Sequence, residues 1–199
     1  MSTVSLVIAL LEKVSLVLVV LYLLGRTRFF VRILQKDSNL RNRAFLVIVF
    51  GALSLYGTYS GVKLPSGTIV NIREMAPMAA GLLAGPVVGV FVGLIGGIHR
   101  YFQGGLTALP CAISTIVAGL AAGVIFVVSK KGLVHVWGAA VFAVLMETAS
   151  MGLILLLARP YSDAWQAVQV IALPMILANA AGVAILVFMM KNLIKEKYL

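Results

Sequence analysis

Residues 74–99 read EMAPMAAGLLAGPVVGVFVGLIGGIH, an apolar run that Gly85 and Pro86 interrupt near its middle. Glycines recur along it at roughly four-residue spacing, which lets helix backbones approach closely in lipid. Proline removes a backbone donor and restricts the residue before it. The run can therefore form either one helix or two halves joined at Gly85-Pro86, and this choice sets the direction of every later segment.

On both sides of this run the chain is apolar enough that its solvent must be lipid. Hydrophobic residues make up 62% of the chain and charged residues 11%, a composition that cannot give a soluble domain a polar surface. A spanning helix needs about 20 mostly apolar residues. Five segments meet this length, at about 4–24, 44–62, 107–129, 134–158 and 170–190. We therefore predict an all-α polytopic membrane bundle that forms one domain over residues 1–199, with the 74–99 run in addition to five full spans.

Positive charges decide between one helix and two halves at 74–99, because Lys and Arg in short loops favour the cytoplasmic side. If the run turns back on itself, eleven basic residues lie inside and four outside; if it crosses once, the numbers are eight and seven. We therefore predict a re-entrant or short-helix hairpin, an N-terminus outside and a C-terminus in the cytoplasm. Each arm would have about a dozen residues, or ~18 Å, which is too short for a full crossing. The eleven inside residues are Arg26, Arg28, Arg32, Lys36, Arg41, Arg43, Lys130, Lys131, Lys191, Lys195 and Lys197; the four outside are Lys63, Arg73, Arg100 and Arg159.

Several classes of function lack the residues they need. The net charge of +10 lies at the ends of apolar segments and not on a face with interleaved aromatics, so we expect no nucleic-acid partner. The single cysteine, Cys111, excludes an internal disulfide and a cysteine-based metal site. Metalloprotease, phosphate-loop and nucleophile-elbow motifs are missing from the sequence. We expect no metal, no cofactor and no enzyme.

The predicted hairpin brings Arg73 and Arg100 to one outward mouth, with His99 beside the second arginine. The next helix starts in the same layer, and its free N–H groups can assist in binding an anion. Two guanidinium groups favour a small carboxylate. Interfacial anchoring of both arginines is the alternative. The polar residues of the next helix that we assign to this pocket are Thr107, Cys111, Ser114 and Thr115.

Three further polar residues lie outside the hairpin. Glu147 is an intramembrane carboxylate, which is costly and faces a partner or a cavity. Asn179, at similar depth in the last helix, is its candidate hydrogen-bond partner. The pair would either hold these two helices together or form a coupling element that responds to ligand. Arg159 is an anchor or a third wall of the pocket.

Two blocks of motifs carry a family resemblance. Asn71-Ile72-Arg73 and the stretch AAGLLAGPVVGVFVGLIGGIHRYFQGGLTALPCAISTIVAGLAAGVI, residues 79–125, closely resemble the membrane domain of LytS-type sensor histidine kinases. The most specific parts are the Gly-Gly-Ile-His-Arg-Tyr run ending at Tyr101 and the Cys-x-x-Ser-Thr motif beginning at Cys111. Weaker similarity continues to Asn179.

The resemblance implies a ligand-sensing receptor domain in a bacterial cytoplasmic membrane. In that family a GAF-like domain and a histidine kinase follow on the cytoplasmic side and act on a LytTR-type response regulator. These 199 residues contain neither part, so we expect no kinase activity from them. Some members are regarded as receptors for pyruvate or similar carboxylates, with ligand residues implied at Arg73, Arg100, Cys111 and Ser114. We expect a homodimer in contact with lipid.

Two alternatives remain open from the sequence. The glycine-rich hairpin also looks like the substrate-binding membrane subunit of energy-coupling-factor transporters. A scaffold that only oligomerises a kinase would leave the arginines as anchors.

Overall fold

A computed structural model describes residues 2–35, 39–129 and 134–198. Over these residues the protein is a bundle of eight helices with one short β-hairpin. Lys36, Lys130 and Lys131, which contributed to the charge count, lie outside these residues. The elements in chain order are α1 (Thr3–Arg26), α2 (Arg28–Gln35), α3 (Leu40–Tyr59), β1 (Val62–Lys63), β2 (Ile69–Val70), α4 (Met75–Ala84), α5 (Pro86–Phe102), α6 (Ala108–Val128), α7 (Val136–Leu157) and α8 (Tyr161–Tyr198).

Within the described residues, five helices are long and apolar enough to cross a membrane, which confirms the predicted all-α polytopic bundle. They are α1, α3, α6, α7 and α8. The last is much longer than the predicted 170–190 segment, since α8 has 38 residues, or about 57 Å of helix. Its first turns are polar, so hydropathy does not indicate that they are helical.

The predicted hairpin at 74–99 is confirmed as two helices, α4 and α5, joined at Gly85. Gly85 has a φ of 88°, in the region that favours glycine, and Pro86 begins α5, where a missing N–H costs nothing. The arms are unequal. α4 has 10 residues, as short as expected, whereas α5 has 17 and is about 25 Å long. Because α5 continues to Phe102, the second arm is longer than the predicted dozen residues.

Glycines let both arms of the hairpin lie against α6. A Cβ on Gly93 would lie 2.8 Å from the carbonyl oxygen of Thr115, and one on Gly97 would lie 2.8 Å from that of Ala112. On the first arm, a Cβ on Gly81 would meet the carbonyl of Gly119 at 2.6 Å. The glycine stripe is therefore a close-packing surface.

One end of the bundle, which we call the β-hairpin end, gathers the ends of several elements. β1 pairs antiparallel with β2, with Val62 opposite Val70. The turn between these strands meets the α5–α6 loop, where a Cβ on Gly105 would lie 3.2 Å from the carbonyl of Gly67. Because α4 leaves this end and α5 returns to it, the chain before α4 and after α5 is held in one layer, where the candidate site lies.

Candidate ligand site

Arg73 lies in the short connection between β2 and α4, and its side chain is 0% exposed. Its backbone packs directly on α3, because a Cβ on Gly57 would lie 2.9 Å from the Cα of Arg73 and 3.1 Å from its nitrogen. The lack of a side chain at Gly57 is therefore what lets this connection pass close to α3. The approach places the guanidinium inside the bundle and not at a lipid headgroup.

The guanidinium of Arg73 is held from three directions. Its Nε donates to Oγ1 of Thr115 at 2.8 Å, and Nη1 donates to Oδ1 of Asn71 at 2.6 Å. Nη2 donates to Oε1 of Glu74 at 2.9 Å and more weakly to Oγ of Ser114 at 3.4 Å. Both members of the Arg73–Glu74 salt bridge are fully buried. Such a pair is held in one geometry, since a buried charge without its partners is strongly destabilising.

Glu74 links three elements through one oxygen. Besides accepting from Arg73, its Oε1 accepts from Oγ of Ser114 on α6 at 2.5 Å and from Oγ of Ser150 on α7 at 3.2 Å. Its other oxygen, Oε2, is buried without a hydrogen-bond partner among the described residues. Glu74 therefore joins the start of the hairpin to both α6 and α7.

Arg100, near the end of α5, is likewise 0% exposed, but its partners are neutral. Nη1 donates to the carbonyl of Gly104 at 2.8 Å, and Nη2 donates to Oγ1 of Thr107 at 2.9 Å. Its Nε is buried with no hydrogen-bond partner, and no carboxylate of the described residues forms a salt bridge with it. Arg100 is thus a fully buried cation whose charge no acidic side chain neutralises directly.

The side chain of Cys111 lies close to both cations. It is 1% exposed and near enough to the guanidinium groups of Arg73 and Arg100 to interact electrostatically with each. Its backbone carbonyl accepts from Oγ1 of Thr115 at 2.7 Å and lies 3.0 Å from Oγ of Ser114, so the first turns of α6 orient the hydroxyls around it. The structure therefore brings the four predicted ligand residues into one buried cluster.

Both arginines are sealed from solvent, so the cluster does not open at the protein surface. The neighbouring polar residues have distinct positions. Thr107 and Thr115 are 0% exposed, and each accepts a hydrogen bond from one arginine. His99 pairs through Nδ1 with Oγ1 of Thr58 on α3 at 2.5 Å. It is a hydrogen-bonded residue near the end of α5.

The predicted hydrogen bond between Glu147 and Asn179 is also wrong. The Nδ2 of Asn179 donates to the carbonyl of Asn71 at 3.4 Å and to that of Met175 at 3.1 Å. Both oxygens of Glu147 are buried without hydrogen-bond partners among the described residues, and its carboxyl faces Glu74, Arg73 and Cys111. Two residues at a similar depth in two helices need not face each other, because their depth does not determine how each helix is rotated about its axis.

Arg159 does not form a wall of the cluster. Its side chain is exposed, and Nη1 donates to the carbonyls of Ala158 at 2.8 Å and Leu155 at 3.4 Å. It caps the end of α7, so the anchoring interpretation fits its position.

A cleft of about 380 Å³ lies at the β-hairpin end, above the cluster. Leu106 lines it, and the next residue, Thr107, holds Arg100. The α5–α6 loop therefore borders both the cleft and the buried cluster. Its lining consists of Ser66, Thr68, Leu106, Asp163, Gln166, Ala167 and Val170.

Three residues of the site were not assigned from the sequence. Asn71 belongs to the Asn-Ile-Arg motif, which could have indicated its contact with Arg73. Ser150 lies three residues after Glu147 and therefore on the same face of α7. Gly57 gives no chemical signal in the sequence, because its contact is with the backbone of Arg73.

Comparison with known proteins assigns this architecture to a class of membrane sensor domains. The family model described as "5TMR of 5TMR-LYT" matches residues 27–193. The chain belongs to this family. No solved structure matches the chain at a significant level.

Curated relatives extend the match to nearly the whole chain. The chain is 34% identical over 211 residues to "Sensor protein LytS" of Bacillus subtilis (strain 168), with 98% of this chain and 36% of that protein covered. It is 37% identical over 203 residues to "Sensor histidine kinase BtsS" of Escherichia coli (strain K12), with the same coverage. "Sensor histidine kinase YpdA" of the same strain is 33% identical over 197 residues, with 97% and 34% covered. The chain thus spans about a third of the length of these relatives and corresponds to their membrane sensor region.

Proposed function

We propose that this chain is the ligand-sensing membrane domain of a two-component sensor histidine kinase and that it binds a small carboxylate of the pyruvate type. The site is the cluster of Arg73, Arg100, Cys111 and Ser114. By itself the domain carries out no phosphoryl transfer.

The observation that carries this proposal is the environment of Arg100. Burying a guanidinium is costly unless an anion and hydrogen bonds compensate, yet this one has neutral partners and an unpartnered Nε. Arg73 already has Glu74 as its anion. A ligand carboxylate would supply the missing negative charge at Arg100 and accept a hydrogen bond from its unpartnered Nε–H.

The surroundings favour a ligand of a few heavy atoms. The two cations are enclosed by α5 and α6, and the side chains beside them are short hydroxyl and thiol groups. Entry from the cleft requires a displacement of the α5–α6 loop, where Gly104 and Gly105 both have positive φ. Binding residues are often carried on loops beside a preformed polar site.

The signalling part of the proposal rests on family membership and on the topology. With the N-terminus and the β-hairpin end outside a bacterial cytoplasmic membrane, the end of α8 lies in the cytoplasm, where the relatives' kinase region would follow. A LytTR-type response regulator and a homodimeric assembly are the partners we propose for the full-length protein.

Thermal unfolding of the detergent-purified chain tests the proposal. A ligand that binds the folded state alone stabilises it, by about 2.7 kcal/mol at 100 times its Kd. We expect pyruvate to raise the unfolding temperature and methyl pyruvate, which has nearly the same shape without the negative charge, to leave it unchanged. Equal shifts with both compounds, or no shift with pyruvate and other small carboxylates, would overturn it.

A further inference from the structure

Glu147 lies near the middle of α7, and the proposed ligand does not explain it. The residue is fully buried, and both its oxygens lack hydrogen-bond partners among the described residues. Its neighbour Glu74 also has an unpartnered oxygen, Oε2. Ser150, one turn from Glu147 on α7, contacts the other oxygen of Glu74 at 3.2 Å, so the two carboxyl groups come from facing elements.

Two buried carboxylates side by side cannot both keep their charge at low cost, since each disfavours ionisation of the other. Glu74 is the better anion, because Arg73, Ser114 and Ser150 all donate to it. Glu147 has no such donor. A proton on Glu147 removes its charge and also provides an O–H that can donate to Glu74.

The charges around the pair can be summed over every element that packs there. The segment before α4 contributes Arg73 and Glu74, α5 contributes Arg100, and α6 contributes the thiol of Cys111. Residues 164–190 of α8 and residues 44–59 of α3 contain no charged side chain, and Glu147 is the single charged residue of α7. With Glu147 ionised the cluster is neutral; with Glu147 protonated it has one net positive charge.

We propose that Glu147 is a proton-binding site and that its proton gives the cluster the single positive charge that a monocarboxylate then neutralises. The ligand therefore binds together with one proton. Without that proton, a carboxylate would leave a net negative charge buried in the bundle, so loss of the proton weakens binding. This inference rests on the proposed function for its ligand, while the proton itself can be observed without any ligand.

Infrared spectroscopy of the ligand-free protein tests the proton directly. The C=O stretch of a protonated carboxylic acid should be present at pH 7 in the parent and in Glu12→Gln, which removes an exposed acid of α1. It should be lost in Glu147→Gln. If the parent has no such band, or if the band survives in Glu147→Gln, the inference is wrong whether or not pyruvate binds.

Calorimetry with pyruvate tests the coupling. A glutamine resembles a protonated glutamate, so Glu147→Gln should bind pyruvate within about threefold of the parent at pH 7. Above the pH at which the infrared band disappears, the parent should lose up to about tenfold in affinity per pH unit, as expected for one linked proton, and Glu147→Gln should not.

Each contrary result has a definite meaning. Binding more than tenfold tighter in Glu147→Gln at pH 7 would show that Glu147 is ionised in the parent, and binding more than tenfold weaker would place it in direct contact with the ligand. Either result overturns the inference. If neither protein binds pyruvate at any pH while the infrared band is present, the proposed function is wrong, and so is the coupling of proton and ligand binding. The assignment of a proton to Glu147 would still hold.

Discussion

Arg73 and Glu74 are adjacent in the chain and form a salt bridge of 2.9 Å in which both side chains are completely buried. Arg100, the other cation of the cluster, has no such partner among the described residues. The two arginines therefore differ in what their removal leaves behind. Loss of Arg73 leaves a buried carboxylate without its counter-charge, whereas loss of Arg100 leaves neutral groups that water can satisfy.

Arg100→Ala should weaken pyruvate binding by on the order of tenfold to a hundredfold, since a charge-assisted contact contributes roughly 1.5–3 kcal/mol. It should reduce stability less than Arg73→Ala does, because no acid is orphaned. Calorimetry and thermal unfolding measure the two effects. Arg159→Ala is the matched control, since that arginine is exposed. Unchanged affinity in a folded Arg100→Ala protein would place the ligand elsewhere.

Arginine-to-lysine exchange should restore only part of the affinity at position 100. The ammonium keeps the charge but cannot present the two-pronged donor face of a guanidinium to a carboxylate. We therefore expect Arg100→Lys to bind pyruvate with an affinity between those of the parent and the alanine variant. Full recovery would mean that charge alone, and not geometry, selects the ligand.

Ser114→Ala removes a hydroxyl that donates to Glu74 at 2.5 Å and accepts weakly from Arg73. We expect a loss of about 1 kcal/mol in binding, or roughly fivefold, because one neutral hydroxyl is removed while both guanidinium groups remain. Ser15→Ala on the exposed face of α1 serves as the control. A loss as large as that of Arg100→Ala would mean that Ser114 positions the arginines and does more than assist them.

Gly57→Ala should weaken ligand binding indirectly, because the new side chain would displace Arg73 and would not contact the ligand. The new methyl group would lie 2.9 Å from the Cα of Arg73, so the backbone that carries this arginine must shift. Gly152→Ala on α7 is the control, since no atom lies within 4 Å of its added Cβ. We expect lower affinity and a lower unfolding temperature for the first variant, and unchanged or slightly higher stability for the second. Equal behaviour of the two would refute a role for this close approach.

Labelling of single cysteines in whole cells tests the direction of the bundle. Ser66→Cys and Ser162→Cys, both exposed at the β-hairpin end, should react with a membrane-impermeant maleimide from outside, and Asn39→Cys at the other end should not. The native Cys111 is buried and should remain unlabelled. Reaction at Asn39→Cys alone would invert the proposed orientation.

The sequence predicted those features that depend on local chemistry or on charge balance. The hairpin could be predicted from Gly85-Pro86 and from the distribution of Lys and Arg. The hairpin in turn predicted that Arg73 lies near Arg100. The rotation of a helix about its axis does not follow from such features. The sequence therefore predicts that Asn179 pairs with Glu147, whereas Asn179 contacts the backbone of Asn71. Hydropathy also could not reveal the polar first turns of α8, because a helix that leaves the hydrocarbon layer no longer needs apolar residues.

The length of α8 gives the molecule a lever arm. Asp163 lies at the cleft, Asn179 contacts the segment that carries Arg73, and Glu196 bonds to Arg26 of α1 at the opposite end, all on one helix. Beyond Pro174, which lies inside the helix, the part from Asn179 to Glu196 extends about 25 Å, so a tilt of about 5° at Asn179 would displace the far end by about 2 Å. A ligand of a few atoms could therefore produce a movement of this size on the other face of the membrane without any span changing its secondary structure.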